Sequence, residues 1–438
     1  MIDIKFTPEK NGILVDEGNT FDVLFRASST ENDSTKKTQR LPLNLSIVID
    51  RSSSMQGQPL DEAKKCASML VDRMGEKDRL SIVMYGADAE VLVPSQPVTD
   101  KRKFKSQIDA IYASGMTALY DGWSLGAEEV AKNSHSNSIS RVLLLSDGQA
   151  NRGLVDEDVI SAHCQKMAEI GVSTSTYGLS EYFNENLMVG MASAGQGQAH
   201  YGQTAEDLLD PFQEEFDLLE AILSRRIRLR ILPEKGVSFE ILNGYSQDGE
   251  GRFILPDLAF GADVWALIQI KINSKICSQQ PETKLKILSA YIDYLDHDGV
   301  DQRSETAKLI IDLCTREQFA CLELDETVKS RVTEVRAATL QEVAQVAARS
   351  ENWAKVDQTM LDLAELGEEN EWIKASVQRL KAYSTRRQRE SFSKETLYKS
   401  RKMKQRSVAK NEEIFSSRSE SGRPSYLRRK MEQGKREL

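Results

Sequence analysis

The chain has 438 residues, 58 Lys plus Arg against 67 Asp plus Glu, and a formal net charge of −9; this length predicts about two or three domains rather than one core. No run of roughly eighteen apolar residues occurs, and the start MIDIKFTPEK has no basic region followed by an apolar one, so neither a membrane span nor a signal peptide is expected. Five cysteines (Cys66, Cys164, Cys277, Cys314 and Cys321) are scattered without paired spacing, which argues for free thiols in a reducing, cytoplasmic compartment and against a disulfide framework or a zinc site.

Residues 1–40 read as strands and turns. IDIKF and FDVLFRA flank the KNG and EGN turn signals, and the polar loop TENDSTKKTQ follows. This is too little for an independent sheet, so these strands must pair with something later in the chain.

From residue 41 the pattern becomes strand alternating with helix. LPLNLSIVIDRSSSM, Leu41 to Met55, is a β-branched apolar run ending in one carboxylate and alternating hydroxyls. A run apolar at nearly every position suits a central strand covered on both faces. Asp50, Ser52 and Ser54 then fall at its carboxyl end, where open α/β sheets place their ligands. A competing reading is that these residues cap the helix beginning near Pro59, Leu60, Asp61 and Glu62. Helices are expected at Leu60–Met74, Lys101–Tyr112, Ala118–Lys132, Asp156–Ile170 and Glu185–Ser193. Strands are expected at Leu80–Tyr85, Ala89–Val93, Arg141–Ser146 and Val172–Leu179. A closing helix is read from Thr204 to Leu223, opened by TAED. The alternation predicts a doubly wound, mainly parallel, Rossmann-like sheet over residues 41–223.

Two more polar clusters interrupt this segment. SGMTALYDG sets Thr117 in a loop that opens a helix, and RVLLLSDGQANRG sets Asp147 at the end of a second fully apolar strand. Three such clusters could converge on one ion. Their donors are hard oxygens without Cys or His, which suits Mg²⁺, with Mn²⁺ or Ca²⁺ as alternatives.

The D-x-S-x-S of Asp50, Ser52 and Ser54, with Thr117 and Asp147 in the same order and separation, resembles the metal-ion-dependent adhesion site (MIDAS) of von Willebrand factor A (VWA) domains, over about Leu41 to Ala221. The resemblance implies that Ser52 and Ser54 bind Mg²⁺ through their hydroxyls and that Thr117 binds directly or through water. It also implies that Asp50 and Asp147 act mostly through bound waters, leaving a sixth position for an Asp or Glu of a partner. Two departures stand out: Ser53 occupies a position where Gly is frequent, and Arg51 brings a positive charge that would weaken cation binding if it pointed inward.

From Arg225 the hydrophobic period changes to two. RIRLRILP, VSFEILN, GRFILPDLAF, ADVWALIQIKI and KLKILSAYIDYLD are separated by Gly, Asp, Asn and Pro turns, the pattern of an antiparallel β-sandwich over residues 224–305. Completion by the strands of residues 1–40 would make the VWA domain an insertion in that sandwich, a layout resembling intracellular bacterial A-domain proteins and, more distantly, the heavy chains of inter-alpha-trypsin inhibitor.

Residues 306–390 read as a helical region, a small bundle or hairpin array whose heptads break at Ser350 to Asn352. Residues 391–438 read as a mobile basic tail. From Ser384 to Leu438 there are 17 Lys plus Arg and 7 Asp plus Glu, net +10, against 41 and 60, net −19, in the remainder. Such a tail is expected to stay solvated, to dock on an acidic surface of this chain or a partner, or to contact nucleic acid through Tyr398, Phe415 and Tyr426 interleaved with charge.

Other clusters carry less. His163 and Cys164 are adjacent, so on a helix they point apart, and packing is the expected role. Asp296 to Gly299 reads as a turn before a calcium loop. No HExxH and no glycine-rich phosphate loop occurs in the sequence. The resemblance therefore points to a non-enzymatic adaptor that captures a partner carboxylate through Mg²⁺. By family analogy the partner would be an AAA-class ATPase, a protein kinase or a phosphatase in a bacterial stress, signalling or defence module. The alternatives are a Mg²⁺-dependent phosphohydrolase and a nucleic-acid-associated regulator acting through the tail.

Overall fold

The computed structural model describes residues 2–29, 40–147, 150–179, 183–202, 206–274, 284–368, 370–405 and 408–409. It divides into two compact units, one comprising residues 39–222 and 297–300, the other the rest of the chain.

Three strands precede the α/β unit: β1 (Ile2–Pro8), β2 (Gly12–Leu14) and β3 (Asn19–Ser29). The α/β unit then runs β4 (Leu43–Asp50), α1 (Gln58–Arg73), β5 (Arg79–Tyr85), β6 (Ala89–Pro97), α2 (Lys101–Asp109), α3 (Leu119–Ala131), β7 (Ile139–Ser146), α4 (Glu157–Glu169), β8 (Val172–Leu179), α5 (Glu185–Ala194), β9 (Gln196–Gly202) and α6 (Glu206–Glu220). Its sheet order is β6-β5-β4-β7-β8-β9, parallel throughout except for the β5–β6 hairpin. Strands β4 and β7 lie side by side in the centre, and every residue of both is buried. That enclosure suits their mostly apolar sequences, in which Asn44, Ser46, Ser140 and Arg141 are buried as well.

Helices α1, α2 and α6 cover one face of the sheet through Leu60, Leu70, Phe104, Ile108, Phe212 and Phe216. On the other face α3 packs against β4, β5 and β7. It lies close to the sheet because a Cβ on Gly122 would stand 2.4 Å from Tyr85, and one on Gly126 2.4 Å from Val48. Trp123, on the same helix, is buried and donates from Nε1 to Thr174 Oγ1 at 3.0 Å.

Strand β9 is an element that sequence periodicity missed. QGQAHYG has no apolar alternation, yet it pairs in parallel with β8 from Gln196 to Gly202. It and α6 are joined through a buried polar network. Glu215 of α6, 3% exposed, accepts from Arg141 Nη1 at 2.7 Å and Tyr177 Oη at 2.7 Å, lies 3.0 Å from His200 Nε2, and accepts from Ser175 Oγ. Burial alone would raise the Glu215 carboxyl, but His200, Arg141 and Ser175 together outweigh it and hold the group down at about 2.

The second unit is built on two sheets. It continues with β10 (Ile222–Pro233), β11 (Val237–Ile241), β12 (Phe253–Ile254), β13 (Leu258–Ala259), β14 (Ala262–Ile272), β15 (Lys284–Leu295), β16 (Asp301–Arg303) and β17 (Ala307–Cys314). One sheet has the order β1-β3-β14-β11 and the other β12-β10-β15-β17-β2. A shared core of Val23, Phe25, Ile227, Leu229, Ile268, Ile270, Ile287 and Ile292 draws on both. Strand β3 is central, paired with β1 over seven positions and with β14 over ten. The second sheet departs from pure antiparallel pairing, because β2 runs parallel to β17.

Two expectations for the C-terminal part need correction. The helical region does not begin at residue 306: Ala307–Cys314 is a strand on β15, its alternation too short to stand out beside the helical pattern. Helices follow as α7 (Arg316–Ala320), α8 (Glu326–Arg349), α9 (Trp353–Leu366), α10 (Glu371–Thr385) and α11 (Arg389–Gln405). The first part of the predicted mobile tail is thus a helix. Phe392 and Met403 of α11 are buried in a core with Ala344, Ala348, Val356 and Leu380, while Gln345 and Arg349 hydrogen-bond Ser393. A basic composition hid this helix because its buried apolar anchors, Phe392 and Met403, are few and the rest of its buried face is polar. A short strand, β18 (Val408–Ala409), pairs with β14. Residues 410–438, with Phe415, Ser416, Ser417, Ser419 and Tyr426, lie outside the described residues, as does Cys277. Helix α8 also lies on the β3–β14 sheet, where Val328, Val332 and Val335 meet Leu24, Trp265 and Leu267. Arg331 sits over the Trp265 ring, 5.3 Å from its centroid, and pairs with Glu334 at 2.6 Å.

Glu215 is depressed below the ordinary 4.5, so the stability it contributes is present above about pH 4.5 and lost as pH falls towards about 2. Glu215→Ala is expected to cost roughly 3–5 kcal/mol at neutral pH by leaving Arg141 buried without its partner, and Glu215→Gln to flatten the acid limb of the stability curve; urea titrations across pH measure both. Removing residues 1–29 leaves one edge of β14 unpaired and should produce aggregation, and a monomeric truncation with an unchanged melting temperature would contradict the pairing.

Candidate metal centre

Strands β4 and β7 both end at the same edge of the sheet, and their last residues carry Asp50 and Ser146. Ser146 Oγ donates to Asp50 Oδ2 at 2.7 Å, and the Ser52 amide donates to Asp50 Oδ1 at 2.8 Å. Both oxygens of Asp50 are thereby oriented by neutral donors. The next turn brings Ser52 Oγ within 3.1 Å of Ser54 Oγ, and Ser54 Oγ donates to Asp147 Oδ1 at 2.9 Å. Asp50, Ser52, Ser54 and Asp147, separated by up to 97 positions in the chain, form one connected polar cluster.

Thr117 enters from the loop before α3. That loop is stitched to the first by hydrogen bonds from Ser53 N and Ser53 Oγ to Gly115 O, 3.0 and 3.1 Å, and from Ser114 N to Arg51 O, 2.6 Å. It is stitched to the third by Thr117 N donating to Asn151 Oδ1 at 2.9 Å and Asn151 N donating to Thr117 O at 3.2 Å. Asn151 was not singled out in the sequence, although it lies in the same SDGQANRG stretch as Asp147. A short polar side chain four residues after a strand-end Asp is a usable signal for a loop tie.

The capping alternative for the first cluster does not hold. Helix α1 is preceded by Gly57 at φ 85°, without a side-chain cap, and its first turn carries Pro59, so the hydroxyls of Ser52 and Ser54 are left for one another and for Asp147.

Electrostatics make the cluster unusual. Asp50 is fully buried, Ser52 is 1% exposed, Thr117 3% and Asp147 5%. Burial raises the Asp50 carboxyl, opposed by the hydrogen bonds from Ser146 and Ser52. Burial, and then the charge of Asp50, push Asp147 up to about 6 against the hydrogen bond from Ser54. Beneath them the Tyr85 phenol, opposite Asp50 in the β4–β5 register, is driven well above its ordinary value by burial first and Asp50 second. Two carboxylates held together inside the protein destabilise one another unless a cation stands between them. Two carboxylates and the hydroxyls of Ser52 and Ser54, with no imidazole or thiolate, form a hard oxygen set that fits a divalent cation, and the hydrogen bonds of Thr117 run from its backbone to Asn151 rather than from its side chain into the cluster. Among the described residues no group of three or more His, Cys, Asp or Glu offers a competing metal site.

The other sequence candidates resolve into packing and turns. His163 Nδ1 hydrogen-bonds Tyr120 Oη at 2.9 Å while burial raises the neighbouring Cys164 thiol. Asp298 and Gly299 form the turn between β15 and β16, with Gly299 at φ 77°.

A parallel, doubly wound sheet with this strand order and a D-x-S-x-S turn, a Thr loop and an Asp at one edge defines a von Willebrand factor A domain. The family model described as "von Willebrand factor type A domain" matches residues 44–215, and this chain carries such a domain. Among its relatives, the uncharacterized protein sll0103 of Synechocystis is 30% identical over 202 residues, 45% of this chain and 46% of that protein. The uncharacterized protein YfbK of Escherichia coli is 29% identical over 199 residues, 45% and 35% of the two chains. Human inter-alpha-trypsin inhibitor heavy chain H3 is 28% identical over 187 residues, 40% and 21%. The chain therefore spans less than half the length of these curated relatives. Two solved structures are similar over most of the chain. The ArnB paralog VWA2 from Sulfolobus acidocaldarius has a TM-score of 0.63 at 16% identity, covering 92% of this chain and 98% of that one. The von Willebrand factor type A protein from Catenulispora acidiphila has a TM-score of 0.68 at 14% identity, covering 86% and 89%. At these identities the likeness is one of fold.

Asn151→Ala removes the acceptor for the Thr117 amide, at a cost of about 1–2 kcal/mol in local opening. The amide of Thr117 should exchange faster in that variant by hydrogen exchange, while β4 and β7 keep their protection.

Proposed function

We propose that this protein is a non-enzymatic interaction protein of the cytoplasm that recognises a partner through a divalent metal, Mg²⁺ first, held by Asp50, Ser52, Ser54, Thr117 and Asp147. The observation that carries this reading is the hydrogen-bonded convergence of Asp50, Ser52, Ser54 and Asp147 at one sheet edge. Von Willebrand factor A domains generally mediate protein–protein interaction through a metal site of this kind, which supports extending that role to this chain. In this assignment the Ser52 and Ser54 hydroxyls bind the ion directly, Thr117 directly or through water, and Asp50 and Asp147 mostly through bound waters. A divalent ion with an open position supplies a directional receptor for an anion, and the chemistry of the site selects a carboxylate from a partner's Asp or Glu.

The chain's own residues do the remaining work. Ser146 and the Ser52 amide hold Asp50 in one orientation, and the loop ties around Gly115 and Asn151 hold the Thr117 loop against the Ser53 turn. The two-sheet body supports a further part of the reading: β1 to β3 precede the α/β unit and β10 to β17 follow it, so the domain is carried as an insertion in a β-sandwich. An AAA-class ATPase, a protein kinase or a phosphatase in a bacterial stress, signalling or defence module remains the proposed class of partner.

Mg²⁺ or Mn²⁺ should raise the melting temperature of the wild type and leave Asp50→Ala unmoved, with the fold of the variant intact by circular dichroism. Pull-down in Mg²⁺ should retain a partner that is lost in EDTA and in the variant. Undiminished calorimetric Mg²⁺ binding by Asp50→Ala would show that the ion sits elsewhere.

A further inference from the structure

The rim of the metal centre carries a feature that the ligand set does not use. Arg51, between Asp50 and Ser52, turns away from the cluster. Its Nη1 donates to Ser114 Oγ, and its guanidinium lies 5.6 Å from the centroid of the Tyr112 ring. Among the described residues no carboxylate pairs with it. Arg152, on the neighbouring loop, is by contrast neutralised by Asp88 at 2.9 Å. Tyr112 and Met116 lie on the same loop as Ser114 and Thr117, and are 71% and 49% exposed.

The charges can be counted. Asp50 and Asp147 together balance a dication, so the occupied site is close to neutral and Arg51 leaves one positive charge beside it. One incoming carboxylate neutralises that charge. The Tyr112 ring, in cation–π contact with Arg51, and the Met116 side chain, two residues either side of Ser114 on the same loop and both open to solvent, offer apolar surface as a shelf for a side chain adjacent to the acid.

Resting on the function proposed above, we infer that Arg51, Tyr112 and Met116 set the specificity of this site. The partner is a peptide segment with one acidic side chain for the metal and an apolar side chain next to it, seated on Tyr112 and Met116. Arg51 supplies the charge that favours the acid and fixes the ring of the shelf.

The test uses the full chain and an immobilised nonapeptide library randomised on both sides of one fixed Asp, probed in Mg²⁺ at low and raised salt. Wild type should retrieve segments with Leu, Met, Phe or Tyr beside the Asp. The double variant Tyr112→Ser, Met116→Ser should retrieve the Asp without that preference. Arg51→Gln should bind the selected peptides about tenfold less tightly at low salt, with the gap closing as salt rises, and Arg51→Lys should restore most of the loss and the salt slope. Melting temperatures control for folding. Metal-dependent Asp binding without an apolar preference, or with the same preference in the double variant, overturns the shelf. An Arg51→Gln variant with wild-type affinity and salt slope overturns the role of Arg51. Equal retrieval of the Asp in EDTA, or by Asp50→Ala, removes the metal reading itself and the inference with it.

Discussion

Asp50 is a carboxylate at the closed end of a strand with no exposed residue, and the arrangement of the candidate site follows from the cost of keeping it there. A buried carboxylate needs donors for both oxygens or a cation beside it. Ser146 and the Ser52 amide meet the first need. Asp147, hydrogen-bonded by Ser54 beside it, makes the second need acute because the Asp50 charge adds to burial in raising the Asp147 carboxyl. The hydroxyls between them are suited to an ion that keeps waters and an open position.

The scaffold keeps this cost local. Strands β4 and β7 are enclosed by helices on both faces, and the close seating of α3 over Val48 and Tyr85 holds the start of that helix, and the loop bearing Thr117, at the sheet edge. Glu215, in the same unit, is a second buried carboxylate, and its neighbours include protein cations. Arg141, His200, Tyr177 and Ser175 surround it, and its pKa falls instead of rising. Burial raises both acids, yet Asp50 ends above and Glu215 below its ordinary value, and the difference lies in whether protein cations or only neutral groups and another acid stand nearby.

Much of the α/β unit was legible in the sequence. Largely apolar runs ending at Asp50 and Ser146 mark enclosed strands, and helical spacing between them points to a parallel sheet; both signals are local and need no partner to be read. Asp50, Ser52, Ser54 and Asp147 stood out because they follow such strands directly and Thr117 because its loop opens a helix; the first cluster alone read equally as a helix cap, and it was the order and separation of all three that matched the motif. Strand β9 was not legible, because a Gly- and Gln-rich segment becomes a strand only when β8 offers an edge. Helix α11 was hidden likewise: its basic residues read as solvated until the alanines of α8 are seen beside it.

The sequence by itself determined the type of the long elements and the identity of the candidate metal donors, because hydrophobic period and residue chemistry are properties of neighbouring positions. Only the tertiary structure decided that β3 lies between β1 and β14, that Asn151 ties the Thr117 loop, and that Arg51 turns outward to Ser114 and Tyr112 rather than towards the Asp50 cluster. Each of these depends on where a side chain or strand edge finds its partner across a long stretch of chain. Local pattern carries no record of that meeting, and the free energy of burial and hydrogen bonding selects it only when the whole core is assembled.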